Sequence, residues 1–111
     1  MQINNHDLIV SIVKRGYAER IVRASKSAGA EGATILHGRG TGIHEQKKLL
    51  GITIEPEKDI VLTVIHRDKT DAVLAAINEA GEMNKPGTGI AFVLELKTVA
   101  GITHLLKAQQ D

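Results

Sequence analysis

A chain of 111 residues, 42% hydrophobic and 24% charged, suits one domain around one core. Its 14 basic and 13 acidic residues leave a net charge of +1, which offers no basic field for nucleic acid, and the lack of cysteine excludes disulfides and thiolate metal sites. No apolar run approaches the ~20 residues of a membrane span, MQINNHD has no leader pattern, and Tyr17 and Phe92 are the only aromatics, so a cytoplasmic protein with no membrane insertion and no base-stacking platform is expected.

The segment DLIVSIVKRG reads as a first strand, with Leu8, Ile9, Val10, Ile12 and Val13 as β-formers and Gly16 ending the run. YAERIVRASKSAGAEG reads as a helix. Tyr17, Ile21, Ala24, Ser25 and Ala28 recur at helical spacing, with Glu19, Arg20, Arg23 and Lys26 on the other side and Gly29 as the stop. ATILHG is a second strand and DIVLTVIH, Asp59 to His66, a third. DKTDAVLAAINEAG predicts a second helix with Asp68 as N-cap and Asp71 adding charge in the first turn. Its stripe is Val73, Ala76, Ile77 and Ala80, and Gly81 ends it. EMNKPGTG is a loop and IAFVLEL a fourth strand. The tail holds a short strand or helical turn around 102–106.

The order is β-α-β, long loop, β-α-β. This predicts an α+β, ferredoxin-like βαββαβ sandwich over residues 1–111: an antiparallel four-stranded sheet with both helices on one face. Strands one, three and four are apolar on both faces: Val10 and Ile12 oppose Ile9 and Val13, Val61 opposes Leu62, and Phe92 opposes Val93. Helices cover one face only, so the other needs a cover, and the cheapest one is another copy of the chain in closed symmetry.

Two glycine-rich corners stand out, HGRGTG and NKPGTG. From the residues alone, each is better explained by a hairpin turn, whose glycines only meet backbone angles, than by a phosphate cradle of backbone N–H groups. Read as a cradle, Gly38, Gly40, Gly87 and Gly89 allow close approach, Lys85 and Arg39 add charge, and Ile35 and Val64 flank an adenine.

NKPGTGIAFVLEL resembles the signature of the P-II signal-transduction family, in which a Lys-x-Gly-Asp-Gly-Lys loop leads into an Ile-Phe-Val strand. Lys85, Gly87, Gly89, Phe92 and Val93 stand in the matching places, and HGRGTG resembles the family's entry to its long T-loop. The resemblance implies a homotrimer with a cleft at each subunit boundary, formed by the T-loop base (about 40–58 for the loop), the B-loop (81–90) and the neighbour's C-terminal segment (98–111). It implies adenine nucleotide binding at Ile35, Gly38, Arg39, Gly40, Thr41, Val64, Lys85, Pro86, Gly87, Thr88 and Gly89, with magnesium left open. It implies a regulator, not an enzyme, whose loop docks on a partner such as a membrane transporter or a nitrogen-metabolism protein through Glu45, Lys47, Lys48, Leu49 and Leu50. Leu49, Leu50 and Ile52 serve either as that anchor or as a patch tucked onto the body.

Departures from the family pattern refine this. Ile90 replaces a basic residue after the B-loop, Thr41 an arginine after the T-loop glycines, and Gly101 and Thr103 two arginines after the fourth strand. Each lost cation removes a charge-assisted contact typically worth ~1.5–3 kcal/mol, which favours ADP or AMP over ATP. Gly42 stands where a magnesium-holding glutamine is expected, which argues against 2-oxoglutarate. The only tyrosine lies in the first helix, so uridylylation of a loop tyrosine is excluded. The alternative is a metal-binding trimer resembling the divalent-cation tolerance proteins. It draws on His6, His37, His44, His66 and His104, with His37, His44 and Glu45 converging, although no pair has i, i+4 spacing.

Overall fold

A computed structural model describes residues 2–40, 47–49, 52–54 and 56–101. In chain order the elements are β1 (Gln2–Ile3), β2 (His6–Lys14), α1 (Ala18–Ser27), β3 (Thr34–Arg39), β4 (Lys47–Leu49), β5 (Ile52–Ile54), β6 (Glu57–His66), α2 (Arg67–Ala80), β7 (Gly89–Glu95) and β8 (Val99–Ala100). The main sheet has the order β3-β6-β2-β7 and is antiparallel throughout, as expected of the ferredoxin-like arrangement. Two short pairs went unread in the sequence: β1 with β8, and β4 with β5. Two-residue strands carry too little pattern to be seen in a sequence.

Period two divides the sheet into two unlike faces. Ile9, Val13, Val61 and Ile65 point at the helices and meet Ala18 and Ile21 of α1 and Val73 and Ile77 of α2, all buried. On the other face the register lines up three rows. They are Leu94–Leu8–Val64, then Phe92–Val10–Leu62–Thr34, then Ile90–Ile12–Ile60–Leu36. Every member but Thr34 is apolar. The central strands shield one another, while Ile90, Phe92, Leu94 and Leu36 at the edges are 42–58% exposed. No described element packs over these rows.

The helix ends differ from expectation in two places. α2 begins at Arg67, two residues earlier than an Asp68 N-cap implies, and its N-cap is His66, whose ring accepts from the Asp68 N–H at 3.2 Å. Asp68 is an exposed first-turn acid, and Asp71 falls beyond that turn. A histidine cap carries no serine- or aspartate-like signal, so it was missed. Tyr17, placed in the apolar stripe of α1, is its N-cap position and makes no side-chain cap bond; Arg20 stacks on its ring at 4.5 Å.

The end of the sheet carrying His6 and His66 is polar. His6 is fully buried, its Nδ1 2.9 Å from the side-chain amide oxygen of Asn5, and its Nε2 has no partner among the described residues. The His66 ring packs edge-on against it at 5.3 Å. Arg67 reaches Asp7 and Glu95, and Thr70 donates to Asp7. Burial, then the neighbouring His66 and Arg67, hold the His6 pKa below its ordinary value despite Asp7. The unfolded chain therefore binds the His6 proton more readily, near pH ~6.5. Urea stability should fall as pH drops from about 7 to about 5, and His6→Leu should lose this dependence.

Candidate functional site

Asp59 is the keystone of the sheet end that leads into the long loop. It lies on β6, 4% exposed, on the helix side. Its Oδ2 accepts from the backbone N–H groups of Gly16 at 2.8 Å and Ala18 at 3.2 Å, so a strand residue caps α1 from outside the helix. Its Oδ1 faces His37 Nδ1 at 3.1 Å. Burial alone would raise the Asp59 pKa, but the two amides and His37 outweigh it and hold the carboxyl below its ordinary value.

Beside this pair opens a cleft of about 430 Å³ lined by Arg15, His37, Gly38, Arg39, Glu57 and Lys58. Arg15 is ion-paired with Glu57 across its mouth. Arg15, Arg39 and Lys58 make the cleft rich in basic side chains, with Arg15 shared with Glu57. Gly38 and Arg39, two of the expected nucleotide residues, stand in this cleft; Arg15, His37 and Lys58 were not expected there. Their signal lay in register: His37 falls opposite Asp59, and Gly38 opposite Lys58.

A second pocket, about 260 Å³, lies at the other end of β3. Thr34 pairs with Leu62, and beyond it the edge of β6 runs on to His66 with no β3 residue beside it. Gly29, Gly32, Thr34, Leu62, Val64 and Lys69 are among its walls. Val64 therefore sits in a pocket of mixed apolar and polar lining beside an open strand edge. Ile35 does not join it: Ile35 pairs with Val61 on the helix side, whereas Val64 belongs to the opposite face.

The B-loop residues lie at the same end of the sheet as the cleft but on the far edge, since β7 pairs with β2 and β3 with β6. Three strand spacings, about 14 Å, separate the two corners within one chain. Inside the B-loop, the Thr88 hydroxyl lies 2.8 Å from the Glu82 carbonyl and 2.9 Å from that of Lys85, so it braces the loop instead of facing a ligand. The Lys85 ammonium is 3.0 Å from Glu82 and shares its charge there; that contact pulls the Glu82 pKa down. Pro86 is exposed.

The two glycine corners now differ. Gly87 has φ 78°, and a Cβ on Gly89 would lie 2.7 Å from the Ile12 carbonyl oxygen, so B-loop geometry requires both. Gly89→Ala should destabilise the fold by about 1–3 kcal/mol, read by thermal melting. Gly40 has no left-handed backbone, and among the described residues nothing lies within 4 Å of an added Cβ. Its N–H donates to the Pro56 carbonyl at 3.1 Å and closes the base of the long loop, so that group is not a free ligand donor. Above the base, Lys47 and Lys48 and Leu49 form β4, paired with β5. Thr41, Glu45, Leu50, His44, and the tail expected at 102–106 with Thr103 and His104, lie outside the described residues, as do the side chains of 47–49 and 52–54. Among the described residues, no group of three or more candidate ligands gathers to hold a metal. No helix of the described residues is long and apolar enough to cross a membrane.

The chain is thus a small ferredoxin-like domain with one bare apolar face and two glycine corners at one end of its sheet, on opposite edges. The family model "Nitrogen regulatory protein P-II" matches residues 6–104, and the chain belongs to that family of signal-transduction regulators. Proteins of the family are trimers that bind small molecules and regulate partner proteins. Among solved structures, the Arabidopsis thaliana PII protein bound to citrate is similar in fold, with a TM-score of 0.67 and 21% identity, over 85% of this chain and 79% of that one. No curated protein matches the chain by sequence.

Proposed function

We propose that the protein is a cytoplasmic, homotrimeric P-II regulator that senses ADP or AMP in preference to ATP and controls a partner through residues 40–58. One observation carries this reading: a pocket of mixed apolar and polar lining with Val64 and a cleft rich in basic side chains with Gly38 and Arg39 lie at the two ends of a single edge strand, β3. The base goes to the first, and the phosphates extend along the β3 edge toward the second. Glycine at 40, where neither conformation nor packing against the described residues demands it, keeps the approach bare. The B-loop with Lys85 and Gly87 completes the site from a neighbouring copy, because no single chain brings the two corners together. The bare sheet face supplies the reason for that neighbour. Lys47, Lys48 and Leu49, with Glu45 and Leu50, meet the partner, a membrane transporter or a nitrogen-metabolism protein.

Calorimetry with ADP, AMP and ATP tests this. Saturable ADP binding is expected, with Arg39→Ala weakening ADP at least about tenfold through loss of a charge-assisted contact. Absence of heat and of any thermal shift with all three nucleotides would overturn it. The citrate of the Arabidopsis protein suggests a competitor: a polycarboxylate suits Arg15, Arg39 and Lys58, so citrate should displace ADP.

A further inference from the structure

We propose that His37 is a phosphoryl-acceptor site, its Nε2 taking a phosphoryl group in the basic cleft with Asp59 as the positioning residue. An ionised carboxylate only accepts hydrogen bonds, so the proton between Asp59 Oδ1 and His37 Nδ1, 3.1 Å apart, sits on the imidazole. The neutral ring then carries its lone pair on Nε2. Asp59 is ionised by construction, since two backbone N–H groups converge on its other oxygen. The ring is thus anchored at one nitrogen to a carboxylate 5% exposed, while the His37 side chain itself is 78% exposed. A nucleophilic imidazole needs this division: one nitrogen held by a buried acid, the other open.

The surroundings fit the incoming group. Arg15, Arg39 and Lys58 line the same cleft as His37, opposed by Glu57. A phosphoryl group carries close to two negative charges near neutral pH, and guanidinium forks match its oxygens. His37 lies on the helix side of β3, in register with Asp59, away from the bare face where copies would meet. In the step, the Nε2 lone pair forms the N–P bond while the bond from phosphorus to the donor's leaving group breaks. The leaving group keeps that electron pair and takes a proton from solvent. Nδ1–H stays on Asp59, whose charge offsets the imidazolium that forms. The donor class is a phosphoramidate or acyl phosphate, and phosphoramidate is the probe.

The full chain incubated with phosphoramidate should gain one phosphoryl group by intact mass, mapped to His37 and assigned to Nε2 by NMR. His37 should label at least about tenfold faster than His44 and His104, because its ring is held in the reactive tautomer. His37→Gln should abolish that label. Asp59→Asn is the informative variant. Its amide oxygen still accepts from Gly16 and Ala18, but its NH₂ donates to Nδ1, which moves the ring proton to Nε2 and removes the nucleophile. Labelling at Nε2 should then fall at least about tenfold with the fold retained by circular dichroism. Nitrogen NMR of the unsubstituted protein gives an independent reading, with the proton expected on Nδ1. Equal labelling of His37, His44 and His104, no labelling of the folded protein, or a proton found on Nε2 would each overturn the proposal. ADP calorimetry is separate: either property can be present without the other, so the two failures are told apart.

Discussion

Asp59→Ala should lower stability by about 2–4 kcal/mol, read as a shift in the urea midpoint with an unchanged slope. The substitution strips two backbone donors, Gly16 N and Ala18 N, of their acceptor at the entry to α1 and releases His37. Losing a helix cap typically costs ~1 kcal/mol, and a buried unsatisfied group adds ~1–3 kcal/mol. α1 has no side-chain cap of its own to fall back on. Asp59→Asn keeps an acceptor for both amides and should recover most of the loss. The same carboxylate gives an acid signature. Its pKa is depressed in the folded chain, so its contribution is full above the unfolded value of about 3.9 and is lost as pH falls further. That window lies below the one assigned to His6. The two can therefore be separated in a single pH series, with His6→Leu and Asp59→Ala each removing its own step.

The elements were legible because their patterns are strong. Apolar runs in β2, β6 and β7 and the spacing of Ile21, Val73 and Ile77 left little choice, and their double-sided character already pointed to a face in need of cover. The site was legible only in part, for a physical reason. Sequence shows which residues sit on one element, whereas this site is made by registers between elements. Asp59 reads as the polite acidic start of a strand. Only pairing with β3 puts His37 beside it, and only the β2–α1 turn brings Gly16 and Ala18 to its other oxygen. Ile35 and Val64 look like flanks of one ring in the sequence because both are apolar. A strand register that places Ile35 against Val61 assigns them to opposite faces. The glycine corners look alike as strings but meet different demands: Gly87 and Gly89 answer to backbone geometry, whereas Gly40 answers neither to backbone geometry nor to packing among the described residues.

Phe92→Asp should give the largest effect on assembly. Phe92 stands in the middle row of the bare face, in register with Val10, and is 42% exposed in the single chain. Inside each chain little should change, because the core lies on the other side of the sheet: circular dichroism should keep its helix signal. Between chains the change is severe. A carboxylate carried into an apolar seam loses its water without gaining a partner, at a cost of several kcal/mol per copy. Since ~1.4 kcal/mol is tenfold in an equilibrium constant, association should weaken roughly a thousandfold or more, and light scattering should report a monomer at micromolar concentration. Arg23→Ala, on the exposed side of α1, serves as the control and should leave the mass unchanged. ADP affinity should fall along with assembly if the proposed site holds, since that site takes Gly38 and Arg39 from one copy and Lys85 and Gly87 from its neighbour. A Phe92→Asp protein that remains fully assembled would remove the bare face as the seam. One that becomes monomeric yet binds ADP undiminished would place the whole nucleotide site along β3 of a single chain.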